Sequence, residues 1–118
     1  MTHHIADLPP NLREVLHRAG DAVHENALQH GFWDTKRNDG ELIALMHSEL
    51  SELLEAIRRP EPRPDAKCPH YSEAEIEAAD LLIRLLDTAF ARGWDLGGAV
   101  TAKHQYNLTR PHKHGKKF

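Results

Sequence analysis

The sequence predicts an all-α fold, an antiparallel bundle of about four helices completed by oligomerisation. Three observations carry this. Apolar residues recur at helical spacing in four successive segments. Gly31, the Pro60–Pro64 run, Gly93 and Pro111 mark the breaks between those segments. No stretch shows the period-two alternation of a half-buried strand, and no internal repeat is present.

The first helix reads from Pro9 or Pro10 to His30, with Leu12, Val15, Leu16, Ala19, Val23 and Ala27 on one stripe. Proline is tolerated at a helix start, where N–H groups have no intrahelical partner, and Gly31 is a natural stop. A loop carrying Phe32 and Trp33 follows. Asn38 or Asp39 can cap a second helix, Glu41 to Arg59, whose stripe is Leu42, Ile43, Met46, Leu50, Leu53, Leu54 and Ile57.

The run Pro60-Glu-Pro-Arg-Pro64 ends that helix. Ser72 and Glu75 form a capping-box pattern for a third helix, Glu73 to Arg92, closed by Gly93. Its apolar residues cover most of the circumference, more than four short helices can bury, which points to self-association. Asp95 can cap a fourth helix from Leu96 to about Leu108, and Pro111 prevents its extension. The segment 110–118 reads as a loosely ordered basic tail on a single domain spanning 1–118.

Composition narrows the class. With 40% hydrophobic and 28% charged residues, the chain has the balance of a soluble globular protein. No apolar run approaches the ~18–20 residues that cross a bilayer, so no membrane partner is expected. Met1-Thr2-His3-His4 lacks the basic and apolar regions of a secretory signal. Cys68 stands alone, so no disulfide framework exists and a cytoplasmic location is the simplest expectation. The acidic body would repel a phosphate backbone and no recognition motif is present, which argues against nucleic-acid binding.

Chemistry concentrates in two motifs, Glu49-x-x-Glu52 and Glu77-x-x-Asp80. Residues three apart share a helix face, so each pair sets two carboxylates side by side. If the second and third helices pack together, four carboxylates converge, and a shared cation relieves their repulsion. Oxygen-only ligands suit magnesium, with manganese as a substitute. Glu49 lies at the edge of the apolar stripe. Glu77 and Asp80 occupy a narrow polar strip on an otherwise apolar helix, continued by Arg84 and Asp87. The two carboxylates of this third helix are therefore expected to be at least half buried. Arg84 and Asp87 are expected to pair with each other or to reach the site.

Lys103, Asn107 and Arg110 fall at i, i+4 and i+7 and form one face of the last helix. Ammonium, amide and guanidinium groups together can grip phosphate oxygens and a sugar or base edge. Glu14-x-x-His17 and Asp21-x-x-His24 have the spacing of di-iron ligands. Both lie on the first helix, however, where such a site needs two helices. Cys68 and His70 have no second pair to make a zinc site.

The paired carboxylates, with the tail Lys103-His-Gln-Tyr-Asn107-Leu-Thr-Arg110-Pro-His-Lys-His-Gly115-Lys, resemble the MazG-like all-α nucleoside triphosphate pyrophosphohydrolases. The resemblance runs from about Gly31 to the end. Family members often open the first motif with a doubled glutamate, whereas Ser48 precedes Glu49 here. The resemblance implies that Glu49, Glu52, Glu77 and Asp80 hold magnesium against a triphosphate. It implies hydrolysis of a (d)NTP to (d)NMP and pyrophosphate in nucleotide-pool sanitation, by a homodimer or homotetramer. Glu49 is the candidate proton acceptor, since one carboxylate not fully used by metal can take the proton of the attacking water. Lys103 and Arg110 would neutralise phosphates, Asn107 would meet the sugar or base, and Trp33 would stack on the base or fill an interface. Phosphoribosyl-ATP pyrophosphatase activity fits the Trp33 loop and the tail less well. A non-catalytic helical module that binds a nucleotide or a protein is the alternative from another class.

Overall fold

The computed structural model describes residues 7–118, so the reading of Met1–His4 lies outside the described residues. It is all-helical. Helix α1 spans Leu12–Gln29, α2 Asp39–Arg58, α3 Glu73–Arg92 and α4 Leu96–Leu108. A single 3-10 turn, His112–Gly115, lies within the segment expected to be a loosely ordered tail. Among the described residues there is no strand, only an isolated bridge between Pro64 and Ser72. None of the helices is long and apolar enough to cross a membrane.

Local chemistry sets the boundaries. The Asn38 side chain accepts from the Glu41 N–H, so α2 begins at Asp39, two residues before the expected start. Ser72 and Glu75 form a complete capping box on α3, each side chain bonded to the other's backbone N–H. Gly93 ends α3 in the left-handed conformation at φ 71°, which a glycine adopts without steric cost. Asp95 caps α4 through the Gly98 N–H and also pairs with Arg13 of α1 at 2.8 Å.

The helices pack as α2 on α3, α3 on α1, and α1 on α4. Helix α3 is thus the shared wall. The close seat of α4 on α1 depends on Gly97, since a methyl there would lie 2.5 Å from the Arg13 Cα and 2.8 Å from the Leu12 carbonyl oxygen. The buried apolar core is small: Ala27, Leu42, Ala56, Leu86 and Ala89. The radius of gyration is 17.2 Å, against about 13–14 Å for a compact domain of this length. An extended row of helices leaves Ile43, Leu50, Leu54 and Ile57 of α2, and Leu82 and Ile83 of α3, about half exposed or more. The burial expected around α3 is therefore only partly met within one chain.

The connection from α2 to α3 is tied down rather than loose. Glu73 is gripped by Arg59 at 3.0 Å and by Arg63 at 2.6 Å. These guanidinium groups hold its carboxyl below the usual range, Arg63 contributing most. The Asp65 carboxylate accepts from the N–H groups of Lys67 and Cys68, which turns the loop back toward α3.

Candidate metal centre

Helix α2 carries Glu49 and Glu52 one turn apart, and α3 carries Glu77 and Asp80 in the same way. Packing of α2 on α3 brings an oxygen from each of Glu49, Glu52 and Glu77 within 4.8 Å of one another. Three of the four expected carboxylates thus converge. Asp80 is not within that group, and it and Glu52 are exposed, whereas Glu49 is buried and Glu77 is half-buried. The burial expected of the third-helix carboxylates is met by Glu77 and corrected for Asp80. A cluster set on the rim between two helices has its inner members covered and its outer members open to solvent.

The electrostatics follow from that geometry. Burial pushes the Glu77 carboxyl up from 4.5 to about 7, aided by its hydrogen bond to Glu52 and by repulsion from Glu52, Asp80 and Glu49. One of its oxygens, Oε2, is buried with no hydrogen-bond partner. Asp80 is also raised, by loss of hydration and by the charge of Glu49, while Arg84 and Lys67 oppose the rise. The folded-back loop thus brings the charges of Asp65 and Lys67 to bear on Asp80. The orphaned oxygen and the all-oxygen donor set fit a hard divalent cation such as magnesium or manganese.

The strip on α3 continues past the cluster. Arg84 donates from Nε to Glu49 Oε1 at 2.7 Å, reaching across to α2. Asp87, one turn further on, turns away toward α1. It accepts from the Trp33 indole N–H, 3.1 Å to each oxygen, and meets His24 Nδ1 at 2.6 Å. The His24 ring packs edge-on against Trp33 and tilted against Phe90, each at 5.3 Å between centroids. Arg84 and Asp87 do not pair with each other. Trp33 commits its one polar atom to Asp87 while also lining a cavity of about 320 Å³ with His24, Arg37 and Arg92.

The basic residues at the end of the chain lie elsewhere: Lys103 and Asn107 are on α4, but Arg110 falls beyond its Thr109 C-cap, so the expected three-residue helical face is corrected. Lys103 Nζ and Arg110 Cζ sit 4.7 and 5.6 Å from the Tyr106 ring centre, a cation–π arrangement around one aromatic. Asn107 Oδ1 and His104 Nε2, on the same helix, are buried without partners. Helix α4 packs on α1, and among the described residues no hydrogen bond or ion pair joins Lys103, Asn107 or Arg110 to the four carboxylates. The expected meeting of acidic and basic halves does not occur within one chain.

Sequence reasoning had no hold on the His24–Asp87 contact, because the partners are 63 residues apart. The same is true of Asp65 and Lys67, whose approach to Asp80 follows from loop folding rather than spacing. A scan against protein-family models matches none, and searches of curated proteins and of solved structures likewise return no match.

Proposed function

We propose that this protein is a magnesium-dependent nucleoside triphosphate pyrophosphohydrolase of the MazG-like kind, converting a (d)NTP and water to the (d)NMP and pyrophosphate. The observation that carries the reading is the convergence of Glu49, Glu52 and Glu77 from two helices, with an orphaned buried oxygen on Glu77. Among the described residues, the ion pair made by Glu49, Glu52 or Glu77 is that of Arg84 with Glu49. Glu49, Glu52 and Glu77 would hold the ion, with Asp80 at the open rim. When bound, the ion polarises the phosphoryl group and lowers the pKa of attacking water. Glu49, the most buried of the four, is placed to accept that water's proton.

The phosphate-gripping residues at the chain's end enter this scheme from a second copy of the chain. The apolar residues left exposed on α2 and α3 support such an assembly, a homodimer or homotetramer that closes the antiparallel bundle. The surface area of 9384 Å² points the same way, since a compact monomer of this mass exposes about 6,500 Å². Lys103 and Arg110 would then neutralise the triphosphate, and Asn107 would bring its unpartnered oxygen to the sugar or base.

The test is product analysis on a panel of NTPs and dNTPs with magnesium, resolving pyrophosphate from orthophosphate. Pyrophosphate with the matching monophosphate, lost in Glu49→Ala and Asp80→Ala, is the expected result. The separation of α4 from the cluster within one chain favours a second reading, a helical binding module without catalysis. In that case both variants bind nucleotide as the parent does and no nucleotide is turned over.

A further inference from the structure

Among the described residues, Arg84 is the basic side chain that pairs with the carboxylate cluster. It sits one turn beyond Asp80 on the same strip of α3, crosses to α2, and takes an oxygen of Glu49, the most buried member. Glu49 keeps 12% of its side-chain surface exposed and Arg84 keeps 34%, so the anion is fixed inside while the cation stands at the rim. Glu52 and Glu77 receive no such partner, and Glu77 Oε2 is left bare. One guanidinium thus compensates less of the cluster's charge than a divalent ion would. Burying Glu49 with no counter-charge would be costly, which explains why a cation must stand there whenever the ion does not.

We infer that Arg84 is a built-in stand-in for the divalent cation, pairing with Glu49 until the metal enters and then turning its guanidinium to the phosphate anion. The inference rests on the metal-centre reading above. Two consequences follow with opposite signs. Metal alone competes with the Arg84 guanidinium for the charge of Glu49, so Arg84 lowers affinity for the free ion. A metal–diphosphate unit gives Arg84 a new bidentate partner, so Arg84 raises affinity for that unit. A side chain that merely braced the two helices would shift both affinities in the same direction.

The experiment titrates Mn2+ alone, and then pyrophosphate in saturating Mn2+, into the full chain and into Arg84→Met and Arg84→Lys. Arg84→Met is expected to bind Mn2+ on the order of tenfold more tightly and pyrophosphate on the order of tenfold more weakly. Arg84→Lys keeps the charge but loses the fork and should fall between. It also serves if the methionine variant fails to fold. A variant that gains no affinity for Mn2+, or gains it without losing affinity for pyrophosphate, overturns the inference while leaving the metal centre standing. Absence of Mn2+ binding in the parent and both variants overturns the metal centre as well.

Discussion

Replacing Glu77 with glutamine should stabilise the metal-free protein above neutral pH and weaken its response to metal. The folded-state pKa of Glu77 is raised from 4.5 to about 7. A carboxyl whose pKa rises on folding binds more protons in the native state than in the unfolded chain between those values. Its favourable contribution is therefore full below about 4.5, and is lost as pH rises through about 7. A rise of that size corresponds to no more than about 3 kcal/mol. Part belongs to the Glu52–Glu77 pair, and the site opens to solvent at Glu52, so about 1–2 kcal/mol is expected for Glu77→Gln alone. Urea unfolding in chelator should show that gain at about pH 8 and near-equality with the parent at about pH 5. Adding magnesium at about pH 8 should reverse the order, because the ionised carboxylate binds the ion and the amide binds it poorly. A Glu77→Gln protein less stable than the parent in chelator at the higher pH, or a difference that ignores pH, would refute the reasoning.

Three further outcomes are expected. Gly97→Ala should lower stability by about 1–3 kcal/mol, measured by thermal unfolding, because its methyl would press on the Arg13 and Leu12 backbone and force α4 off α1. Ile57→Glu changes the most exposed large apolar residue of α2, at 64%. It should shift the protein to a smaller species in size-exclusion chromatography while leaving its helical circular dichroism unchanged. Mixing Glu49→Ala chains with Lys103→Ala chains should restore pyrophosphate release that neither gives alone, since shared assemblies reunite an intact cluster with an intact basic face. No recovery, in assemblies shown to exchange chains, would place both halves of the site in one chain.

How much of this was legible depended on the range of each interaction. The helix ends were legible because their signals are local. Ser72 and Glu75 lie three apart, Asp95 reaches the Gly98 N–H, and Gly93 takes a left-handed turn at the end of α3. The start of α2 slipped by two residues because Asn38, not Asp39, is the capping residue, and an asparagine–aspartate pair offers both. The carboxylate pairs could be read from i, i+3 spacing, yet which oxygens converge depends on how α2 rolls on α3. That rolling draws in Glu77 and leaves Asp80 at the rim. The partner of α4 could not be read at all. Its Lys103 and Asn107 carry the same spacing whether the helix lies on α2 or on α1. The close approach that settles the matter is a missing side chain at Gly97 against backbone 84 residues earlier, where 97 − 13 gives the separation.

Helix α3 resembles a beam clamped at two points. Arg59 and Arg63 fasten Glu73 at its beginning, and His24 and Trp33 fasten Asp87 fourteen residues on. The span between clamps is roughly 21 Å at the rise of an α-helix, and Glu77, Asp80 and Arg84 all hang from it. A beam held at both ends cannot slide along its axis to ease crowding at mid-span. Any change of charge there has to be met by rotating side chains or by an arriving ion. Loosening either clamp should therefore change the behaviour of the carboxylates without touching one of them.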